Sequence, residues 1–146
     1  KYQVVHFNEK ANYVLPNTAE IWLDGSNDQD RERTQATLKK VSPSGGTSLY
    51  HAFSVISSLS PMPDNVYLLV DSLPTMNKKV PKKYTISSQD RRDYFRKSVS
   101  SLPENVPPIN VILFPMEADP YAPIEYWELA DKTGGSFIQP QKDWPQ

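Results

Sequence analysis

Two segments constrain the fold of this chain more than any other feature. The first is Gly45-Gly46-Thr47-Ser48-Leu49, and the second is the apolar run 66–70 followed by Asp71-Ser72-Leu73-Pro74-Thr75. An apolar run with β-branched ends is typical of a buried strand, and open α/β sheets bind ligands at the carboxyl ends of their strands. Thr47 opens an amphipathic helix, so its hydroxyl either caps that helix or faces the same crevice as Asp71.

Thr47 and Asp71 are therefore the candidate metal ligands. A hydroxyl and a carboxylate form an oxygen-only donor set, which suits Mg²⁺, Mn²⁺ or Ca²⁺ rather than zinc or iron. Each residue also has a structural interpretation, Thr47 as a helix N-cap and Asp71 as an acceptor for N–H groups of the next loop or helix. The position of Asp71 beside Thr47 favours the metal site.

Strand and helix signals alternate along the chain, which predicts an α/β sandwich. We expect strands at 2–7, 66–70, 109–114 and 137–138, and a short antiparallel edge partner at 19–23. Helices are expected at 29–41, 48–59, about 87–102 and 124–132. The segment 74–88 carries lysines between two prolines and is predicted to be a long loop beside the candidate site.

The order of these motifs resembles the von Willebrand factor A (vWA) domain family. GGTSL, helix, strand, D-S-x-P-T, helix, strand 111–114, helix and the segment 129–138 are similar to the second two-thirds of that fold. The resemblance implies one vWA-like domain over 1–146, with a three-layer, doubly wound, mostly parallel, Rossmann-like sheet and one antiparallel edge strand. It also implies protein binding, often through a metal-ion-dependent adhesion site, here Thr47 and Asp71 with Mg²⁺, Mn²⁺ or Ca²⁺.

One part of the family pattern is missing. Members that hold a metal begin with a strand ending in D-x-S-x-S, whereas residues 2–7 resemble the second strand. We therefore expect the N-terminal strand and helix to be lacking, and a gap or a foreign segment between strands 2–7 and 66–70. Ser72 stands where the family usually has glycine. Thr47 and Asp71 are then two ligands of a larger set, and a degenerate scaffold without a metal is an alternative.

The loops near this edge form the candidate partner-binding surface. Its expected members are Ser48, Ser72, Lys78, Lys79 and Asp119. Lys82, Lys83 and Glu117 extend the same mixed charge, which can select an acidic or amphoteric protein partner. The family resemblance implies that such a partner offers a carboxylate to the metal.

Composition argues against several other function classes. A net charge of −1, from 16 basic and 17 acidic residues, gives no pull toward nucleic acid or anionic membranes. No run approaches the roughly 18 apolar residues of a membrane span, and the absence of cysteine excludes disulfide and thiolate chemistry. An extracytoplasmic setting, or anchoring through regions outside this chain, is favoured over a cytosolic one. No motif assembles a nucleophile and a base, so we expect binding, with a metal-assisted hydrolase using Asp71 as the alternative.

Overall fold

The computed structural model describes residues 1–82, 85–114 and 119–140. The protein is an α/β fold that combines a three-stranded parallel sheet with a separate antiparallel hairpin. Its elements in chain order are β1 (Val5–Phe7), β2 (Ala11–Tyr13), α1 (Asp28–Leu38), α2 (Leu49–Ser58), β3 (Val66–Val70), α3 (Ser88–Val99), β4 (Ile109–Leu113), α4 (Ala122–Thr133) and β5 (Phe137–Ile138). Across these three ranges, no helix has both the length and the apolar character needed to span a membrane.

The parallel sheet has the strand order β3-β4-β5, which is also the order along the chain. Leu68 lies opposite Val111, and Val111 lies opposite Phe137. Helices α3 and α4 connect the successive strands. Because parallel crossovers are right-handed, two crossovers that advance in the same direction place both helices on one face of the sheet.

The hydrophobic core lies on that helical face. Alternate residues of β3 and β4, such as Leu68 and Val111, are buried there against Phe53 of α2, Phe95 of α3 and Tyr126 of α4. A strand buries every second side chain on a given face, so the intervening residues point the other way.

Side chains on the opposite face of the sheet are open to solvent. Tyr67 is 70% exposed and Leu69 is 57% exposed. The α/β class and the parallel sheet are thus confirmed, whereas the described residues provide helices for one face of the sheet. The second helical layer of a three-layer arrangement stays a prediction.

The antiparallel partner of β1 differs from the one that the sequence predicts. β1 pairs with β2 in the register Val5↔Tyr13 and Phe7↔Ala11. The predicted partner strand at 19–23 is wrong, because only Leu23 forms a bridge, to Tyr2. Glu20 has a φ of 61°, a left-handed conformation that cannot belong to an extended strand.

The hairpin and the parallel sheet share no strand pairing in the part of the chain that the structure describes. This confirms the expectation that strands 2–7 and 66–70 are not directly hydrogen-bonded. Ser48 instead connects the residue after β1 to the loop after β3. The Ser48 N–H donates to the Asn8 carbonyl at 2.8 Å, and Ser48 also forms an isolated parallel bridge with Met76.

Helix ends follow the capping chemistry of the sequence. Ser87 and Asp90 form a reciprocal capping box at the start of α3, and Asn27 caps α1. Helix α4 ends at Gly134, whose φ of 73° is the left-handed conformation that glycine adopts without a steric penalty. All four predicted helices are confirmed, with boundaries that differ by a few residues.

Candidate functional site

The segment 46–48 is fixed by hydrogen bonds to the loop that follows β3. The Thr47 carbonyl accepts from the N–H groups of Thr75 and Met76 at 3.1 and 3.2 Å, and the Thr47 N–H donates to Thr75 Oγ1 at 2.9 Å. Ser48, rather than Thr47, is the N-cap of α2 and accepts from the His51 N–H. The Thr47 hydroxyl is therefore not used as a cap.

Thr47 and Asp71 both connect to the segment that follows β3. Asp71 directly follows the strand, and Thr47 is bonded to residues four and five positions further along. Asp71 is exposed, and its Oδ1 accepts from the Ser72 hydroxyl at 2.9 Å. No hydrogen bond joins the Thr47 and Asp71 side chains within the described ranges, so their sharing of an ion stays a prediction.

Asp119 and Arg91 hold the backbone of the same loop. The Leu73 N–H donates to Asp119 Oδ2 at 2.6 Å, and Arg91 Nε donates to the Leu73 carbonyl at 3.1 Å. Arg91 and Asp119 also form an ion pair at 3.1 Å, in which the Asp119 side chain is 1% exposed. Asp119 Oδ1 is buried and has no hydrogen-bond partner among the described residues.

Tyr126 completes this network from α4. Its hydroxyl donates to the Ser72 carbonyl at 2.9 Å, and its ring packs edge-on against Phe95. Burial raises the pKa of Tyr126 far above its ordinary value, and the negative charges of Asp119 and Asp71 raise it further. Tyr126 therefore stays a neutral donor, and it ties the loop after β3 to the core.

A second buried carboxylate joins α3 to α4. Glu125 accepts from Arg92 Nε at 2.5 Å and from Arg96 Nη2 at 2.9 Å. Burial raises the pKa of Glu125, but the hydrogen bonds from Arg92 and Arg96 outweigh burial, so its pKa lies below the ordinary value. This cluster stabilises the helical layer and lies outside the candidate metal site.

The predicted partner-binding residues divide into two groups by exposure. Ser48, Ser72 and Asp119 are buried, and their side chains bond to Asn77, Asp71 and Leu73 respectively. Lys78 and Lys79 are exposed, and the Lys78 ammonium lies 4.5 Å from the centre of the Tyr50 ring. Among the predicted residues, the two lysines are thus the ones whose side chains are open to solvent. Lys83, Glu117 and the predicted loop around 116–118 lie outside the described residues.

An open groove lies between the hairpin, α2 and the lysine loop. We call it the lysine groove, and it encloses about 500 Å³ with a lining that includes Glu9, Lys10, Val55, Met76, Lys78 and Val80. A smaller adjoining hollow of about 190 Å³ shares Glu9, Met76 and Val80 and extends the groove to Gly46. Glu9 is directed at the glycine turn, where its carboxylate accepts from the Gly46 N–H at 3.4 Å.

The donor set at Thr47 and Asp71 is small for a metal. No cluster of three or more His, Cys, Asp or Glu side chains with metal-binding geometry occurs in the described ranges. Mg²⁺ commonly keeps several waters and uses one or two carboxylates. Thr47 and Asp71 offer one hydroxyl and one carboxylate, so a divalent cation at this position stays a prediction.

Comparison with protein-family models, with curated proteins and with solved structures finds no match.

The residues that organise the site were only partly predicted. The sequence indicated Asp119 as a member of the partner-binding surface, whereas the structure shows it buried. The sequence did not indicate Arg91, Tyr126 or Glu125. Arg92 and Arg96 stand four residues apart on α3, so one face of that helix carries two cations. That spacing is the only sequence signal for a buried acid opposite the helix.

Proposed function

We propose that the protein is a protein-binding module of the vWA type, which engages an acidic segment of its partner through the lysine groove. The observation that carries the proposal is a rigid loop with exposed cations. Leu73 is held by Asp119 and Arg91, and Ser72 is held by Tyr126, while Lys78 and Lys79 follow on the surface. Binding residues on loops that a rigid scaffold positions are a common functional arrangement.

The chemistry of the groove favours an acidic partner with an apolar side chain. Lys10 and Lys78 supply positive charge, and the carboxylate of Glu9 is engaged by the Gly46 N–H. Val55, Met76 and Val80 provide an apolar lining, and Val80 is 58% exposed. Opposite charges steer the encounter, while burial of an apolar residue in the groove supplies affinity.

The vWA resemblance belongs to the same proposal. The resemblance adds two features to the proposal. The first is a doubly wound sheet with a second layer on its open face, and the second is a divalent cation at Thr47 and Asp71. A bound cation with free coordination positions attracts a partner carboxylate. Asp71 supports this idea because its side chain is exposed at the carboxyl end of a parallel strand, which is the usual ligand edge of such sheets. A degenerate scaffold that binds its partner without metal is the second form of the proposal.

Catalysis is less well supported than binding. His51 Nε2 lies 3.1 Å from the Lys78 carbonyl, and the neighbouring Ser54 hydroxyl donates to the His51 carbonyl. The histidine and the serine are thus each engaged with backbone, and neither activates the other. A hydrolase would need a base positioned on a nucleophile or on a water.

The binding proposal is tested by titration with a fluorescein-labelled peptide of alternating glutamate and leucine. A K78S/K79S/K82S variant should bind the peptide at least about fivefold more weakly than the wild type, because each exposed charge contributes up to about 1 kcal/mol. A K39S/K40S/K97S variant removes the same charge from other exposed positions and is the matched control. An equal loss of peptide affinity in both variants would indicate an effect of net charge, and it would reject the lysine groove as the binding surface.

The metal part is tested separately by thermal unfolding with MgCl₂, MnCl₂ or CaCl₂. A divalent-dependent rise in Tm that Asp71→Ala abolishes, while Asp64→Ala retains it, supports the cation site. If the wild type shows no such rise, the cation site is rejected and the metal-free scaffold stands. Hydrolysis of p-nitrophenyl phosphate or acetate that depends on Asp71 would favour the enzyme alternative.

A further inference from the structure

The outer edge of β2 carries backbone groups that point away from the hairpin. Just beyond β2, the Val14 N–H donates to the Val4 carbonyl at 2.9 Å. In an antiparallel pair, residues that bond across the pair alternate with residues whose N–H and C=O point away from it. Ala11 and Tyr13 are those alternate residues in β2, and within the described ranges their outward groups have no hydrogen-bond partner.

This edge is not the one at which the family resemblance expects a further strand. That strand would lie between residues 2–7 and 66–70, so it would pair with the edge of β1 that faces away from β2. A strand at that position would leave the outer edge of β2 as it is.

Helix α2 runs along the outer edge of β2. Ala11 and Val55 both line the lysine groove, and two residues further on the Tyr13 hydroxyl lies 3.2 Å from Ser58 Oγ. The strand edge therefore forms one wall of the groove, and the helix forms its floor. A strand edge beside a groove can add an extended peptide, because main-chain hydrogen bonds supply affinity and the groove reads alternate side chains.

The charges around the groove indicate which segment fits. Lys10 directly precedes β2 and Lys78 lies on the loop side of the groove, and both are exposed. Alternate side chains of an extended segment point to opposite faces, so apolar residues can contact Val55 and Met76 while the acidic residues between them meet the lysines. β2 itself carries no acidic residue, so a second copy of β2 would not neutralise these lysines.

We propose that the acidic segment of the partner binds in an extended conformation and adds a third strand to the hairpin at the edge of β2. This inference rests on the function proposed above, because it assigns a binding mode to the same groove. The segment bonds to the outward backbone groups of Ala11 and Tyr13, and its carboxylates pair with Lys10 and Lys78. Because two short strands are marginally stable alone, the third strand also stabilises the hairpin.

The test uses the full chain, the labelled peptide of alternating glutamate and leucine, and two N-methylated forms of that peptide. One form is methylated at its leucines and the other at its internal glutamates. The N–H groups of an extended segment point alternately to its two sides, so only one of these sets faces β2. One form should bind about tenfold more weakly than the parent peptide, because it loses more than one hydrogen bond, and the other should keep most of the affinity.

Amide exchange measured by ¹⁵N NMR locates the contact on the protein. The amides of Ala11 and Tyr13 should exchange rapidly in the free protein and slow by about tenfold or more when the peptide saturates it, since they gain hydrogen-bond partners. Lys10→Ser should weaken the parent peptide about threefold, in line with the strength of an exposed ion pair. Lys97→Ser is the matched control, because it removes an exposed lysine on α3.

Two results would overturn the strand pairing and leave the groove intact. Equal affinities of the two N-methylated forms, or unchanged exchange at Ala11 and Tyr13 with the peptide bound, would show that the segment lies in the groove without pairing to β2. A parent peptide that does not bind, or that binds the wild type and the K78S/K79S/K82S variant equally, rejects the proposed function and this binding mode with it.

Discussion

At the scale of single residues, buried carboxylates organise the helical face of the protein. Asp119 holds the loop after β3 through Leu73, and Glu125 joins α3 to α4 through Arg92 and Arg96. A charged group can stay buried when hydrogen bonds and opposite charges replace the water that it has lost. Each acid therefore depends on its cationic partners, Asp119 on Arg91 and Glu125 on Arg92 and Arg96.

Replacement of Glu125 by glutamine should lower the free energy of unfolding by about 1–2 kcal/mol at pH 7, because the two guanidinium groups then bond to a neutral amide instead of a carboxylate. The pKa of Glu125 is lowered in the folded protein, since the bonds from Arg92 and Arg96 outweigh its burial. Its contribution is then fully present above the unfolded pKa of about 4.3 and disappears as the pH falls through the folded pKa.

Urea unfolding at pH 7, 5 and 3 measures this effect. The difference between wild type and Glu125→Gln should shrink as the pH falls. Glu128→Gln is the control, because Glu128 is 42% exposed and pairs with the exposed Lys132. A difference that is constant over this pH range would show that the Glu125 charge does not contribute.

Two adjacent glycines should respond very differently to alanine. At Gly135 a Cβ would overlap the backbone carbonyl of Ile109, at the point where the chain turns from α4 toward β5. At Gly134 nothing lies within 4 Å, and only the φ of 73° opposes a side chain. We expect Gly135→Ala to cost about 3 kcal/mol and Gly134→Ala about 1 kcal/mol. Chemical denaturation of both variants checks the ranking, and equal costs would contradict it.

At the scale of elements, a helix cap can also tether a loop. Ser48 caps α2 and donates its hydroxyl to the Asn77 carbonyl at 2.7 Å, whereas Ser87 caps α3 within its capping box. Replacement of either serine by alanine should destabilise the protein by about 1 kcal/mol. Only Ser48→Ala also releases the backbone just before Lys78.

Limited trypsin digestion separates the two effects, because the loop offers Lys78, Lys79 and Lys82 as cleavage sites. Cleavage in this loop should be faster in Ser48→Ala than in Ser87→Ala at matched global stability. The same cleavage rate in both variants would show that the Ser48 hydroxyl does not hold the loop.

Regular elements could be predicted from the sequence where one local signal dominates. The apolar run 66–70 coincides with β3, and Ser87 and Gly134 define helix ends through capping and left-handed chemistry. The short strand 11–13 has too few residues to show a period, and the segment 19–23 has strand-like composition. Its backbone is instead turned by Glu20 and held through Gln3, which donates to the Thr18 and Ile21 carbonyls.

The sequence predicts where Asp71 lies, but not the hydrogen bonds and ion pairs that surround it. Asp71 stands at a strand end, and this placement follows from the apolar run before it. The pairing of Arg91 with Asp119 joins residues 28 positions apart, and the hydrogen bond from Tyr126 reaches 54 positions back to Ser72. Such contacts depend on how helices stack on the sheet, for which a single sequence carries no signal.

At the scale of the whole molecule, stability is concentrated on one face of the parallel sheet. The core joins α2, α3 and α4 to β3 and β4, and no residue of α1 belongs to it. Helix α1 is tied instead through the Thr34 hydroxyl to Tyr2 at 3.1 Å. The hairpin likewise contributes mainly Phe7, which is partly buried against the core.

This distribution predicts that the hairpin opens independently of the sheet. Two strands of three residues are marginally stable alone, and here their link to the sheet passes through Ser48 and the packing against α2. In native-state hydrogen exchange, the hydrogen-bonded amides of β1 and β2 should exchange through an opening about 2 kcal/mol lower in free energy than global unfolding. Amides of Leu68 and Val111, at the centre of the sheet, should exchange only by global unfolding, and they serve as the internal control. A single opening free energy with the same urea dependence for both groups would show instead that hairpin and sheet unfold as one cooperative unit.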